Sequence, residues 1–488
     1  MEWTRGQRYR RLEEADQAEY QDLLNTVSAS QYRQTFHIQP ISGLLNDPNG
    51  FSYFDGEYHL FYQWYPLGPV HGVKYWYHVQ SKDLVHWENV GIGMRPDTKY
   101  DSHGVFSGTG LPLEDKLLLF YTGNTRTEDW MRIPYQCLAI MDKDGNIEKH
   151  SDPLIIDSEE GYTDNYRDPK VFKSGDKYIC LIGAETEKHQ GRVVYYESED
   201  LKKWKFRGEI QTIKSENEGY MWECPDYFEL EGQGVLVISP QGMEVEGDQF
   251  NNIFQSGYLI GEPIDFKEGT FKHQAFKEFD RGFEFYAPQT IQTPDGRRIL
   301  IAWFGLPGVL AGTEEDGWAH CLTIPRELEL RDNKLYQNPV QELEALRKHT
   351  LVEVAKLNKT STSMTLPRCY EAKVNFTEID ANKVGIKFRK SAKEEVLFYY
   401  NLAERKLVLD RSKTHKVINK EYGDKRKCNF SGNELRLHLF LDESSVEIFV
   451  NDGQEVFSSR IYNKPGSNDF EIFVENGHAF IEYSLWEL

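Results

Sequence analysis

The chain echoes itself at a near-constant interval. A strand opening Asp47-Pro48-Asn49-Gly50-Phe51, a turn at Asp55-Gly56 and a second strand ending in Phe61-Tyr62 recur as Asp168-Pro169-Lys170-Val171-Phe172, a turn at Gly175-Asp176 and a strand over 178–182. Weaker echoes begin near Phe106, Pro225 and Pro288, so the five starts lie 59, 62, 57 and 63 residues apart. A second motif keeps the same interval: Ser81-Lys82-Asp83-Leu84-Val85-His86-Trp87 returns 117 residues later, two periods on, as Ser198-Glu199-Asp200-Leu201-Lys202-Lys203-Trp204. A unit of roughly sixty residues, made of short strands and Gly, Asn or Asp turns, suits one four-stranded propeller blade. Five such units predict an all-β fold whose main part, residues 32–335, is a five-bladed β-propeller.

Outside the repeats the texture changes. Leu12, Ala15, Tyr20, Leu23 and Leu24 stand among charged positions, which predicts an amphipathic helix in a short N-terminal extension, residues 1–31. Past Leu330 the repeat stops, and Asn338-Pro339 opens a short helical stretch from Val340 to Arg347, read as a linker over 336–349. From 350 to 488 strands and hairpin turns resume, at 396–400, 407–409, 435–441, 446–450, 471–474 and 479–485, and are read as a C-terminal β-sandwich. Two domains also suit a length of 488 residues.

The formal net charge of −21 excludes general affinity for nucleic acid or an anionic membrane, because a polyanion would be repelled over most of the surface. An anionic small substrate would need its basic partners gathered in one place. The six cysteines are scattered, with no Cys-x-x-Cys pair, and read as isolated thiols of a reducing compartment. From Met1 to Tyr20 the chain is polar and charged, without the apolar core of a secretory signal, and no apolar run approaches the ~20 residues of a membrane span. A cytoplasmic protein is expected, with the sequons at Asn358, Asn375 and Asn429 free of glycan.

In a propeller the innermost strand of each blade lines the central channel, so the repeat starts converge on one funnel mouth. Three of the five starts carry a carboxylate: Asp47, Asp168 and Glu223, just ahead of Pro225. One acidic residue before Pro commonly organises a turn; three at equivalent positions around one axis point to chemistry. Cleavage of a glycosidic bond passes through an oxocarbenium-like state and needs one carboxylate as nucleophile and one carboxylic acid to protonate the leaving oxygen. Glu223 stands among Tyr220, Met221, Trp222 and Cys224, a neighbourhood expected to favour the protonated form. Asp47 lies between Asn46 and Asn49, a setting that suits an ionised nucleophile, and Arg167 is expected to keep Asp168 ionised.

Through Asn46-Asp47-Pro48-Asn49-Gly50, Arg167-Asp168-Pro169 and Glu223-Cys224-Pro225, in this order and separation, nearly the whole chain resembles glycoside hydrolase family 32, the invertases, fructanases and sucrose-6-phosphate hydrolases. Ser445-Val446-Glu447-Ile448-Phe449-Val450 and Ser459-Arg460-Ile461-Tyr462 extend the resemblance into the second domain. The resemblance implies a five-bladed propeller joined to a β-sandwich, with Asp47 as nucleophile, Asp168 as transition-state stabiliser and Glu223 as acid/base. It also implies substrate contacts from Asn46, Gln63, Trp76, Phe106, Ser107, Arg126 and Arg167, and a Tyr286 that orients the nucleophile. Glu284 departs from the pattern, since relatives usually carry Asp before Phe-Tyr-Ala, and this puts the geometry of the fifth blade in question.

Within that family, Gly68-Pro69-Val70-His71-Gly72-Val73-Lys74-Tyr75-Trp76-Tyr77-His78, Thr122-Gly123-Asn124-Thr125-Arg126 and Gly317-Trp318-Ala319-His320 are similar to the bacterial sucrose-6-phosphate hydrolases. Many secreted invertases carry Trp in place of His71 and lack an equivalent of Lys74. His71, Lys74 and His78, with Arg126, are candidates for the local positive charge that a phosphorylated glucose would require. The implied reaction is retaining hydrolysis of the β-fructofuranosyl bond of sucrose 6-phosphate, and of sucrose. The alternatives are a β-fructosidase on unphosphorylated sucrose or short fructans, a fructosyltransferase and, in another class, a non-catalytic sugar-binding propeller, against which the three carboxylates argue. The sequence carries no metal-ligand rhythm, P-loop or dinucleotide fingerprint, so no cofactor is expected. A small sugar is the expected partner, nucleic acid and membrane are not, and the oligomeric state is left open.

Overall fold

The computed structural model describes residues 2–213, 215–358 and 361–488, with side chains omitted at 356–358, so the sequon at Asn358 lies outside the described side chains. Among the described residues the strands form seven sheets, five of them blades. The blades open with the strands Gly43–Phe54, Val105–Leu113, Tyr162–Ser174, Met221–Leu230 and Tyr286–Gln292, and each sheet continues outward by antiparallel pairing. Each opening strand packs against that of the next blade, and the fifth packs against the first. Hairpins set the local register. Asp55 and Gly56 both take positive φ, 48° and 89°, the geometry in which a two-residue turn matches the twist of its strands. The ring is clasped where Trp318–Ala319, from the fifth blade's connection, pairs in parallel with Gly43 and Leu44 of the first.

Polar side chains knit neighbouring blades where apolar layers thin out toward the axis. Gly108 donates its backbone N–H to Asn49 Oδ1 at 3.0 Å, Thr109 Oγ1 donates to the Pro169 carbonyl at 2.9 Å, and Thr290 donates to Asp226 through both backbone N–H and hydroxyl. Farther out, rings and aliphatics from adjacent blades fill the gaps, for example Tyr166, Ile182 and Val194 against Phe120 and Leu138.

The second domain is a sandwich of two six-stranded sheets. Strict alternation, as in Glu395–Asn401 where every second residue is buried, turns one face of each sheet inward. Val374, Ile386, Phe398, Leu437 and Ile472 meet in that interior.

Two expected elements differ. The N-terminal extension is a four-residue helix Arg5–Arg8, a 3₁₀ turn Leu12–Glu14 and a helix Gln17–Ser28, whose N-cap Asp16 accepts from Ala18 and Glu19 N–H. Leu12 and Ala15 fall outside the long helix, in which Val27 alone is fully buried. The linker helix is a 3₁₀ stretch, Gln341–Leu346, because 334–339 are already taken up as the outermost strand of the fifth blade, paired with 326–331. Among the described residues no helix is long and apolar enough to cross a membrane.

The domains share a core. Phe440, Phe449, Val456 and Leu488 of the sandwich join Leu44, Trp303 and Ile324 of the propeller in one cluster. Through it runs a buried polar seam. Arg326 donates to Asp280 at 3.1 Å and to Glu447 at 2.5 and 3.1 Å, and His37 sits between Asp442 at 2.7 Å and Glu447 at 3.1 Å. Glu284 belongs to this seam, accepting from Arg411 at 2.7 Å and the Arg460 N–H at 2.9 Å. The departure at Glu284 therefore bears on the domain junction and not on the funnel.

Candidate active site

Each opening strand breaks its register at the same depth. The irregularities fall between Leu45 and Pro48, Val105 and Gly108, Arg167 and Lys170, Glu223 and Asp226, and Tyr286 and Gln289. A bulge re-aims the side chains beside it. Pro48, Pro169, Pro225 and Pro288 sit at four of these five points, where a residue without an N–H costs no ladder bond. Asp168, Cys224 and Ala287 adopt left-handed backbone there, with φ of 69°, 48° and 48°. Such conformations cost about 1–3 kcal/mol each in L-residues and persist where surrounding structure enforces them.

The bulges bring Asp47, Asp168 and Glu223 into one cleft of about 340 Å³ at the funnel mouth. Asp47 accepts from the Ser107 hydroxyl on Oδ2 and from Asn46 Nδ2 on Oδ1 at 3.2 Å. Burial pushes its carboxyl up, against the pull of Ser107, and the charge of Glu223 adds to the rise. Asp168 accepts the Cys224 N–H at 2.9 Å, and the Cys224 thiol lies 3.6 Å from Asp168 and 3.7 Å from Asp47, bridging the two. Glu223 takes Arg167 Nη2 and Nε on Oε1 at 2.6 and 3.0 Å, and Gln241 Nε2 and the Tyr286 hydroxyl on Oε2 at 2.6 and 2.7 Å.

Several expected contacts are corrected. Arg167 pairs with Glu223, not with its sequence neighbour Asp168, whose carboxyl is pushed upward by burial despite the nearby guanidinium. The apolar neighbours of Glu223 do not form its surroundings: on the strand Met221–Leu230, Trp222 enters the core between the third and fourth blades and the Cys224 thiol turns to Asp47 and Asp168, while Glu223 meets polar partners. Tyr286 holds Glu223 and not the nucleophile. Trp76 is fully buried behind the cleft, donating its indole N–H to the Phe106 carbonyl at 3.0 Å, so it supports Phe106 without lining the cleft. His78 is stacked on Phe61, 4.3 Å between ring centroids, and bonded to His59 at 3.0 Å; it lies in the inter-blade core and does not line the cleft.

Asn46, Gln63, Phe106, Ser107 and Arg126 do line the cleft, as do His71 and Lys74. His71 is neutral, because burial and then the nearby Lys74 drive its pKa well below the usual imidazole value. Lys74 Nζ is committed to Asn46 Oδ1 at 2.7 Å. The basic rim, in which Arg126 was expected, is completed by Arg132, Arg8 and Tyr9, which sequence patterns did not single out. Arg132 and Arg126 line the cleft, and each keeps a buried Nε–H without a hydrogen-bond partner. Arg8 and Tyr9 enter from the N-terminal segment. That segment is held by Arg8 Nη1 and Nε on the carbonyls of His71 and Trp3 at 3.0 and 3.3 Å, and by the Val73 N–H on the Arg8 carbonyl at 2.8 Å. Gly72 makes the approach possible, since a Cβ there would stand 2.2 Å from the Arg8 carbonyl oxygen.

A five-bladed propeller with three carboxylates converging on a polar cleft defines a glycosidase. Family models agree: residues 37–339 match the N-terminal domain of glycosyl hydrolases family 32 and residues 342–487 match the family 32 C-terminal domain, so the chain belongs to that family. It is 44% identical over 492 residues to a sucrose-6-phosphate hydrolase of Staphylococcus xylosus, covering 100% of this chain and 99% of the relative. A solved sucrose-6-phosphate hydrolase from Lactobacillus gasseri superposes with a TM-score of 0.94 at 38% identity, over 100% of this chain and 99% of the other. A GH32 beta-fructofuranosidase of Bombyx mori, solved as a mutant in complex with sucrose, superposes with a TM-score of 0.83 at 32% identity, over 97% and 99%.

Proposed function

We propose that this chain hydrolyses sucrose 6-phosphate to glucose 6-phosphate and fructose, with retention at the fructosyl carbon, and that sucrose is a poorer substrate of the same site. The basic rim carries the choice of substrate. In a chain of net charge −21, Arg8, Arg126 and Arg132 gather at one cleft, beside a neutral His71 that can donate or accept. Arginine donates in a fork that matches phosphate oxygens, and two of these three hold a buried N–H with no protein partner.

Asp47 attacks C2 of the fructosyl unit as the bond from C2 to the glucosyl oxygen breaks, and Glu223 gives that oxygen its proton. Glucose 6-phosphate leaves, and fructose remains esterified to Asp47. Arg167, Gln241 and the Tyr286 hydroxyl then stabilise the Glu223 carboxylate left behind. Glu223 takes a proton from water as that water attacks C2, the C2–Asp47 bond breaks, and both carboxyl groups return to their starting states. Asp168, buried beside Asp47, accepts hydrogen bonds from fructosyl hydroxyls as positive charge develops on the ring. Six cysteines without a disulfide and a phosphorylated substrate support a cytoplasmic site of action.

Trapping tests the covalent step. A Glu223→Gln variant, given a fructoside whose leaving group needs no protonation, should accumulate the ester because the second step lacks its base. Peptide mass spectrometry is expected to find one fructosyl residue on the peptide that contains Asp47. Modification of the Asp168 peptide, or inverted stereochemistry of the first-formed product of the native chain, would contradict the assignment.

A further inference from the structure

We infer that Lys74 is a positioning residue for the nucleophile, heading a one-way hydrogen-bond chain that aims two donors at Asp47, and that it is not a phosphate ligand. Lys74 is 3% exposed, and its Nζ donates to Asn46 Oδ1 at 2.7 Å. Burial pushes the Lys74 pKa down to about 7, with Asp47 opposing the shift; in its charged form the group can only donate, so the oxygen of the Asn46 amide then faces it. The amide NH₂ is thereby turned to Asp47 Oδ1 at 3.2 Å and to Gln63 Oε1 at 2.6 Å. Gln63 is now fixed as well: its oxygen faces Asn46, and its NH₂ reaches Ser107 Oγ at 2.7 Å. With that lone pair occupied, the Ser107 hydroxyl turns its hydrogen to Asp47 Oδ2.

Every orientation in the chain follows from the protonated Lys74 at its head. Asn and Gln amides are symmetric in shape, so without Lys74 the Asn46 amide could turn over and present its oxygen to Asp47. Gln63 and Ser107 would lose their fixed direction with it. The nucleophile would then face an acceptor where it now has a donor, which favours its protonated, unreactive form. The charge of Lys74 acts in the same direction on Asp47, which opposes the effect of burial on the lysine. Glu223 opposes this effect on Asp47, while burial and then Lys74 drive the His71 pKa down, and burial, Arg460 and then Lys74 do the same to His320.

The inference rests on Asp47 as nucleophile and is tested with Lys74→Met, Asn46→Ala and the double variant, assayed on sucrose 6-phosphate and on sucrose. Methionine has the length of lysine without its buried charge, so the fold should hold, and the thermal midpoint should not fall. Lys74→Met is expected to lower kcat about ten- to hundred-fold by the same factor on both substrates, with KM for sucrose 6-phosphate changed little. The double variant should be no slower than Asn46→Ala alone, since Lys74 acts through Asn46. A loss confined to sucrose 6-phosphate and expressed in KM would overturn the inference, as would multiplying losses in the double variant. An active Asp47→Ala enzyme would instead defeat the reading of the nucleophile.

Discussion

Four donors converge on Glu223: two nitrogens of Arg167, the Gln241 amide and the Tyr286 hydroxyl. Such a shell suits a group that must give up a proton and wait as a carboxylate until water arrives. Tyr286 also lies 3.1 Å from the Ser239 carbonyl, so its hydroxyl has a second acceptor to turn to when Glu223 carries the proton. The hydroxyl can thus follow the proton state of its partner without being left unbonded. Tyr286→Phe is predicted to lower kcat about ten-fold, the worth of one hydrogen bond to a charged group, and to leave KM nearly unchanged. Steady-state kinetics on sucrose 6-phosphate check this, and an unchanged kcat would remove Tyr286 from the acid/base step.

The bulged opening strand is the element that builds the site, and it was legible in the sequence because its mark is local. An acid followed by Pro, with a tight turn some seven residues on, is visible in Asp47-Pro48 and Asp168-Pro169 without knowledge of any contact. Period-two reasoning within a strand was equally available and explains two misplaced residues. On the strand Tyr75–Ser81, Trp76 and His78 share one face and go together into the inter-blade core, whereas Lys74 precedes the strand and escapes its alternation. The N-terminal segment left no such trace. Arg8 meets His71 across 63 residues of chain, and only the bare Gly72 hints that another backbone passes close by. The segment is nevertheless anchored throughout: Arg5 lies over the Trp130 ring at 4.2 Å, Tyr9 packs edge-on against Trp130, and Tyr75 donates to Glu13 at 2.6 Å. Arg8→Ala is therefore predicted to lower kcat/KM on sucrose 6-phosphate about ten- to hundred-fold and on sucrose only slightly. Equal losses on both would mean that the segment shapes the cleft without reading the phosphate.

At the scale of the whole molecule, the shared core and buried seam make propeller and sandwich one structure. His37 ties the propeller to Asp442 and Glu447 of the sandwich. Burial alone would discharge it, but the hydrogen bonds to those two carboxylates outweigh burial and raise its pKa from 6.5 to about 9. A group raised on folding holds its proton more tightly in the folded chain. Its contribution is full below about 6.5 and fades as pH climbs through about 9. Thermal midpoints measured from neutral pH to about pH 10 are predicted to fall for the native chain, and to fall less steeply for a His37→Gln variant that starts lower. Parallel slopes would contradict the link. The same scale decides the substrate. An acidic surface repels anions in general, so an anion that binds must do so at the rim where Arg8, Arg126 and Arg132 meet. The most direct test is kcat/KM for sucrose 6-phosphate against sucrose, measured on the native chain in one buffer. The value is predicted to be at least ten-fold higher for the phosphorylated sugar, and equal values, or a preference for sucrose, would contradict a phosphate-reading cleft.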